Sequence, residues 1–403
     1  MEPVWDAFLK LLRTALGNSA DSVPELTPEQ WRELCALAWE HKVLPLVFEA
    51  AYPMAAQADP ALAAGMKRRV RQQVILQTLR TSEFLELYRA LEEAGAAPVV
   101  VKGIVCRQLY PKPDHRPSSD EDLWISAEQF GLCHGVMTRL GLATDEPDPE
   151  TAWEVPYRKS GSPLYIELHK ALFTPGFRTA ESEFNDFFGR PEGHDTRQEV
   201  TGGSVRTMHP TDHLTYLLFH AFKHFLHSGF GIRQICDILL FAHRHSQLID
   251  WDWVRRSCRS IRAEKFAAAV FAIGEKHLGF GPVGPWDTGE VNEMPLLEDV
   301  LRAGVYGSAE RSRQHSSTIT LEAASAQKSA KKGVLAAAFP RAKDLEGRYP
   351  WLKKQPWLLP MAWTHRMGAY LRETAHRTDS SLADTLKIGK ERLELLRRYE
   401  ILK

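Results

Sequence analysis

The stretch Asp120-Glu121-Asp122-Leu123-Trp124-Ile125 places two carboxylates at the beginning of an apolar run. The run predicts a β-strand from Glu121 to Ile125, and side chains alternate between the two faces of a strand. Asp120 and Asp122 therefore share one face, ~6–7 Å apart along the chain. Two converging carboxylates repel each other by ~4 kcal/mol at ~4 Å and an effective dielectric constant of ~20. A divalent cation removes that repulsion, and oxygen ligands favour Mg²⁺ or Mn²⁺ over zinc.

A second strand is predicted just upstream of these acids. Residues 99–101 are three consecutive valines, and Lys102-Gly103 leads from them into a helical stretch from Ile104 to Tyr110. Free amides at a helix N-terminus bind phosphate oxygens, and a glycine lets phosphate approach the backbone. Lys102 adds a positive charge there. Lys102 and Gly103 are therefore predicted nucleotide contacts.

The segment between the two strands is a predicted loop, because three prolines within residues 111–117 prevent regular pairing. Arg116 in this loop has two interpretations, a contact to a triphosphate or an ion pair with Asp120 or Glu121. Ser119 stands beside the acids and is a candidate nucleotide contact, with a role as a turn residue as the alternative.

A β-hairpin is predicted downstream of the acids, with strands at residues 152–158 and 163–169. In its second strand Glu167 and His169 share a face by alternation. Glu167 is the candidate third carboxylate, as a metal ligand or as a general base on an acceptor hydroxyl. His169 is a candidate nucleotide contact.

Helices flank this mixed region on both sides. Residues 27–30 form a capping-box pattern that begins a helix. A later helix carries apolar residues at the i, i+3, i+4 and i+7 spacing of one buried face. These residues are Phe84, Leu87, Tyr88 and Leu91. A small hairpin is predicted at residues 200–208, and from residue 210 onward the pattern is helical.

The predicted fold class is therefore α+β. A small mixed sheet core, in the order strand–helix–strand–helix–hairpin, lies between N- and C-terminal helical domains. The predicted domains are residues 1–96, 97–208 and 209–403. Residues 316–332 are rich in Ala, Ser and Lys and are a predicted connection.

The first helix after the sheet carries His220, Lys223 and His224. His220 and Lys223 are candidate nucleotide contacts. Packing or capping is the alternative for the histidines, because no HExxH pattern accompanies their spacing. Asp237 is a predicted buried acid, paired with Arg233 or with a histidine.

Composition narrows the function class. The 403 residues include 51 basic and 51 acidic side chains, and this neutral balance argues against whole-surface attraction to nucleic acid or to a membrane. No stretch approaches ~20 apolar residues, and the N-terminus does not resemble a signal peptide. Five scattered cysteines indicate reduced thiols and a cytoplasmic protein. The glycine-rich motifs of Rossmann, P-loop and α/β-hydrolase proteins are missing from the sequence.

The order of these motifs resembles the uncharacterised nucleotidyltransferase family of the DNA polymerase β-like nucleotidyltransferase superfamily. The matching segments are residues 99–103, 109–111, 116–117, 120–123, 166–169, 220–224, 233, 237–238, 339–340 and 349–350. The resemblance implies transfer of a nucleoside monophosphate from an NTP, with ATP favoured, and release of pyrophosphate. It implies Mg²⁺ or Mn²⁺ as the cofactor and Asp120, Asp122 and Glu167 as catalytic metal ligands. The expected acceptor is a hydroxyl or a phosphate of an unidentified small molecule, peptide or macromolecule, with a small molecule or peptide favoured over nucleic acid.

Three positions depart from the pattern of the wider superfamily. Lys102-Gly103 stands where Gly-Ser is usual, Glu121 where an aliphatic residue is usual, and Glu167 where Asp is usual. Glu121 puts a carboxylate into the sheet core, unless that face is open or the acid is paired with an arginine. Two alternatives therefore stay open. One is a catalytically degenerate protein that binds a partner or RNA, and the other is a toxin-like enzyme that nucleotidylates tRNA or protein.

Overall fold

The computed structural model describes residues 2–18, 22–173, 184–189, 191, 195–227, 229–303, 355–363, 365 and 391–401. The chain forms two compact units. The first is Met1–Phe222 with Gly231–Val305, and the second is Lys223–Phe230 with Tyr306–Lys403. The predicted connection at residues 316–332 lies outside the described residues. The domain boundaries at residues 96 and 208 remain predictions.

The N-terminal region of the first unit is helical, as predicted. Its helices are α1 (Pro3–Ala15), α2 (Pro28–Glu40), α3 (Leu44–Ala58) and α4 (Pro60–Glu93). The capping box is confirmed, because the Thr27 amide donates to Gln30 Oε1 at 2.9 Å and the Gln30 amide donates to Thr27 Oγ1 at 3.3 Å. The predicted apolar face of α4 is buried in the core that also contains the sheet residues.

A mixed sheet follows α4. Its strands are β1 (Val99–Val100), β2 (Glu121–Trp124), β3 (Leu142–Ala143), β4 (Glu154–Lys159), β5 (Tyr165–His169), β6 (Asp195–Val200) and β7 (Gly203–Met208). Across the sheet their order is β3-β4-β5-β2-β1-β7-β6. The β2–β5 and β1–β7 pairs are parallel and the other pairs are antiparallel. This mixed helix-and-sheet architecture agrees with the predicted α+β class, and it places β2 beside β5.

Both predicted hairpins are present, with altered limits. Strands β4 and β5 form the first hairpin. In the second, β6 begins at Asp195 rather than near Val200, because its backbone pairs with β7 as far as Met208. The sequence did not predict the edge strand β3, which follows a turn at Gly141 with φ of +82°. Two residues are too few for a period-2 pattern to be visible.

The remaining helices are α5 (Ile104–Arg107), α6 (Phe130–Arg139), α7 (Pro210–His227), α8 (Ile232–Arg244), α9 (Trp251–Ser260), α10 (Glu264–His277) and α11 (Met294–Ala303). Helix α5 ends earlier than the predicted Tyr110. The amides of residues 108, 109 and 110 bond to carbonyls three residues back, so the chain tightens into turns instead of continuing the α-helix.

In the second unit, residues 391–398 are helical. Leu393, Leu395 and Leu396 are buried, which confirms the inward-facing side predicted for this helix. Arg392 donates to the Phe225 carbonyl oxygen, and the Tyr399 and Phe225 rings meet edge to face at 6.5 Å.

Two findings concern the chain as a whole. All five cysteines are buried and free of disulfides, in agreement with the predicted reduced thiols. Within the described ranges, no helix combines the length and the apolar character needed to cross a membrane. The cytoplasmic location remains a prediction.

Candidate active site

Strands β2 and β5 carry the candidate acids and lie side by side. They pair in parallel, with Asp122 opposite Glu167 and Trp124 opposite His169. Neighbouring strands lie ~4.8 Å apart, and side chains two residues apart share a face. This register therefore brings Asp122, Glu167 and His169 together on one face, although they come from two separately predicted strands.

These three side chains form a compact cluster of potential metal ligands. One ligand atom of each lies within 4.8 Å of the others. The distance from His169 Nε2 is 3.2 Å to Asp122 Oδ1 and 3.7 Å to Glu167 Oε2. Asp122 and His169 are buried, whereas 21% of the Glu167 side chain is exposed. The cluster therefore reaches solvent through Glu167.

One carboxylate oxygen of the cluster has no hydrogen-bond partner among the described residues. Asp122 Oδ2 is buried and accepts no hydrogen bond from any described residue. A buried carboxylate oxygen without a partner is costly and calls for an explanation, such as an ion. Two carboxylates suit Mg²⁺ or Mn²⁺, and the imidazole nitrogen suits transition metals better than it suits Mg²⁺. The donor set of Asp122, Glu167 and His169 therefore fits a divalent cation.

Lys102 brings a positive charge to the same cluster. Its Nζ atom lies 3.0 Å from Asp122 Oδ1 and 3.1 Å from Nε2 of His220, which is half-buried on α7. The Val101 amide donates to the Asp122 carbonyl oxygen at 3.2 Å and fixes the end of β1 beside β2. Lys102 and His220 thus lie at the acids, and their contacts to a nucleotide remain predictions.

The charges of the cluster shift one another. Burial raises the pKa of Glu167, and the charges of Asp122 and Asp120 raise it further, to about 7. Burial also disfavours the ionised form of Asp122, but Lys102 and His169 outweigh burial and lower the pKa of this acid. Burial disfavours the charged imidazole of His169, yet the hydrogen bond to Asp122 raises its pKa. Near neutral pH the cluster holds one firmly ionised acid and one acid poised to exchange a proton.

Asp120 and Ser119 lie beside the cluster rather than in it. Asp120 is half-buried just before β2, and its carboxylate is not among the clustered ligand atoms. Its charge still acts on Glu167, as the raised pKa shows. Ser119 is exposed. The roles of Asp120 as a metal ligand and of Ser119 as a nucleotide contact remain predictions.

Glu121 points to the opposite face of β2, where its charge is balanced. Its Oε1 accepts from Arg107 Nη1 at 2.5 Å, and its Oε2 accepts from the Ile104 amide at 2.7 Å. Glu121 and Arg107 are both fully buried. Of the two arrangements open for this acid, the structure shows pairing with an arginine.

Gly103 makes room for this carboxylate. A Cβ atom on Gly103 would lie 1.8 Å from Glu121 Oε2, and its φ of +48° is one that other residues rarely adopt. The Ile104 amide, which is the first of α5, therefore donates to Glu121. In the turn before α5, the Lys102 Nζ atom lies at the acid cluster. The nucleotide contact of Gly103 remains a prediction.

Arg116 lies in a buried ion pair with Asp237. Its Nε donates to Asp237 Oδ1 at 2.8 Å and its Nη2 to Oδ2 at 2.6 Å, while the Tyr110 hydroxyl donates to Oδ1 at 2.8 Å. The predicted pairing of Asp237 with Arg233 or a histidine is wrong, because Arg233 donates instead to the carbonyl oxygen of Pro117. The contact of Arg116 with a nucleotide remains a prediction.

Lys223 stands three residues after His220 on α7, but it belongs to the second compact unit. Its contact with a nucleotide remains a prediction.

Sequence reasoning missed Arg107 and placed His169 among the nucleotide contacts. An acid within an apolar strand indicates that a positively charged side chain is buried beside it. The sequence does not identify which arginine of the chain is that partner. The signal for His169 was present, because alternation already placed it on the same face as Glu167.

Comparison with known protein families gives a match over more than half of the chain. A family model described as "Uncharacterised nucleotidyltransferase" matches residues 27–279. This span contains β1–β7, the acid cluster, Arg107 and His220. No significant match was found among curated proteins or among solved structures.

Proposed function

Since the chain belongs to the uncharacterised nucleotidyltransferase family and is an enzyme that transfers nucleotidyl groups, we propose that it takes its nucleotidyl group from an NTP, with ATP favoured. An acceptor oxygen forms a bond to the α-phosphorus. The bond from that phosphorus to the β-phosphate bridging oxygen breaks, and pyrophosphate leaves with the electron pair. The acceptor oxygen belongs to a hydroxyl or a phosphate of a small molecule or a peptide.

The observation that best supports this proposal is the cluster of Asp122, Glu167 and His169, in which Asp122 Oδ2 accepts no hydrogen bond. These residues would hold Mg²⁺ or Mn²⁺, with Asp120 at the edge of the site. When bound, such a cation neutralises charge on the attacking and leaving oxygens of phosphoryl transfer. The pairing of Glu121 with Arg107 supports an intact site, because this unusual acid leaves the metal-binding face undisturbed.

The protein's own groups have separate roles in this proposal. A Glu167 carboxylate oxygen takes the proton of an acceptor hydroxyl. Lys102 Nζ contacts a phosphate oxygen, and His220 orients Lys102 across their 3.1 Å contact. The other proposed nucleotide contacts are Gly103, Arg116, Ser119 and Lys223.

Metal and nucleotide binding by the full chain test the proposal. Titration with Mn²⁺, followed by electron paramagnetic resonance, and calorimetry with each of the four NTPs and Mg²⁺ measure the two affinities. Asp122→Asn and Glu167→Gln are expected to weaken Mn²⁺ binding at least tenfold. Both variants should also abolish pyrophosphate release in the presence of small-molecule or peptide acceptors.

The matched control is Glu146→Gln/Asp148→Asn, which removes an acid-x-acid pair outside the cluster. This control should bind Mn²⁺ and NTP like the wild type. The proposal is wrong if the wild type binds neither ligand, or if the cluster variants bind and react unchanged while remaining folded by circular dichroism.

A further inference from the structure

A cavity of about 220 Å³ lies where β2 and β5 end, and its walls include Trp124, Trp153 and Phe188. Trp124 stands two residues beyond Asp122 on the same face of β2 and pairs with His169 of the cluster. The cavity is therefore about 7 Å further along the strand than the acids. The carboxyl ends of strands are where open sheets that contain parallel strands commonly bind ligands.

Aromatic contacts connect the cavity wall to the charged side of the site. The Phe188 and Tyr216 rings lie 6.2 Å apart, and the Tyr216 and His220 rings lie 5.7 Å apart. His220 in turn contacts Lys102, the proposed phosphate contact. The cavity wall and the cluster are thus linked through packed side chains, of which the Phe188 and Tyr216 rings are buried.

The polar groups of the cavity are engaged with the backbone. Lys170 Nζ donates to the carbonyl oxygens of Pro149 and Glu150 at 2.9 and 2.6 Å. Both ends of the Asn185 side-chain amide bond to the backbone of Phe173, at 3.0 and 2.6 Å. Because these polar side chains are already bonded, the accessible aromatic face of the walls is available to a planar ring.

Trp153 is the accessible part of this wall. It is 48% exposed, whereas Trp124 is buried. The volume is below the ~300–1,000 Å³ of sites that enclose a whole drug-sized ligand, so the cavity accepts one ring system and not an entire nucleotide.

We propose that this cavity binds the base of the NTP by stacking, chiefly on Trp153. This inference rests on the proposed function and adds the base subsite to it. Because every base has a π-face, stacking is tolerant of base identity. Purine nucleotides bind more tightly than pyrimidine nucleotides, since the larger ring system stacks over more area.

The test compares ATP with tripolyphosphate, which carries the phosphates but no base. In calorimetry with Mg²⁺, the wild type should bind ATP about tenfold or more tightly than tripolyphosphate. Trp153→Ala should remove most of that advantage and leave tripolyphosphate and Mn²⁺ affinities unchanged. Trp153→Phe, which keeps an aromatic face, should restore most of it. The matched control is Trp357→Ala, because Trp357 is 74% exposed and lies in the other compact unit.

Two results would overturn the inference, and they differ from each other. If the Trp153→Ala variant binds ATP as tightly as a wild type that also binds Mn²⁺, the base does not use this cavity and the proposed function stands. If the wild type binds neither Mn²⁺ nor ATP, the proposed function fails and the base subsite fails with it.

Discussion

At the scale of single residues, Glu121 and Arg107 form a buried ion pair beside the site. Both are fully buried, and Arg107 Nη1 also donates to Ser118 Oγ at 2.5 Å. Glu121→Leu should destabilise the protein by about 3–5 kcal/mol, because it leaves the Arg107 charge buried without its carboxylate. Urea unfolding followed by circular dichroism measures the change. The double variant Glu121→Leu/Arg107→Met should recover most of the loss, and failure to recover it would show that the ion pair is not the cause.

Gly103 gives a second prediction at this scale. Gly103→Ala is expected to destabilise the protein by at least ~2 kcal/mol, since its Cβ would overlap Glu121 Oε2 and its φ is +48°. Gly141→Ala is the matched control, because Gly141 also has positive φ, +82°, but a Cβ there meets nothing within 4 Å. The control should lose only about 1 kcal/mol. Equal losses in urea unfolding would contradict the overlap with Glu121.

The positions of single residues were predicted correctly where they depend only on the alternation of side chains between the two faces of a strand. It placed Glu167 and His169 on one face, and the structure places Asp122 with them. It did not place Arg107 beside Glu121, or Arg116 beside Asp237. Those contacts depend on how helices and loops pack against the sheet, which no local pattern of residue types records.

At the scale of elements, the N-terminal cap of α2 depends only on neighbouring residues, so it could be predicted completely from the sequence. Thr27→Ala should cost about 1 kcal/mol, because the Gln30 amide loses its side-chain acceptor. Thr138→Ala is the control on the exposed side of α6, where the hydroxyl only bonds back to the His134 carbonyl oxygen. That change should stay within ~0.5 kcal/mol in the same unfolding assay. A loss for Thr27→Ala no larger than that of the control would contradict the cap.

The elements themselves were largely predictable, but their pairing was not. Valine runs, alternation and glycine turns marked β1, β2 and both hairpins. The parallel pairing of β2 with β5 and of β1 with β7 joins segments more than 40 residues apart in sequence. The pairing of such distant strands depends on how the connecting helices pack against the sheet. A single sequence therefore restricts the possible pairings but does not determine which one forms. The acid cluster depends on one such pairing, with Asp122 opposite Glu167.

At the scale of the whole molecule, two buried histidines tie distant parts of the first unit together. The Ile232 amide donates to His41 Nδ1 at 3.2 Å, and His41 Nε2 lies 3.3 Å from the Leu301 carbonyl oxygen. His213 Nε2 lies 2.6 Å from the Val101 carbonyl oxygen, just before Lys102. In each case burial lowers the histidine pKa to about 4. The fold therefore requires both rings to be neutral.

Protonation of these two rings should consequently lower the free energy of unfolding in mild acid, while Glu167, with its pKa raised to about 7, opposes this change over the same pH range. An unfolded histidine takes up a proton near pH 6.5, whereas these folded ones do so only near pH 4. The stabilisation is present in full above pH 6.5 and is lost as the pH falls toward 4. Between pH 7 and pH 5 the two groups together should lower the free energy of unfolding by about 4 kcal/mol at most.

Urea unfolding at pH 7, 6 and 5 measures this slope. His41→Asn, which keeps a donor and an acceptor at the junction, should change the difference in unfolding free energy between pH 7 and pH 5 by about 2 kcal/mol, whatever its effect on stability at pH 7. His209→Gln removes an exposed imidazole and serves as the control. A slope that His41→Asn leaves unchanged would mean that the His41 ring is not held neutral. The link from α8 and α11 to the N-terminal helices would then tolerate a charged ring.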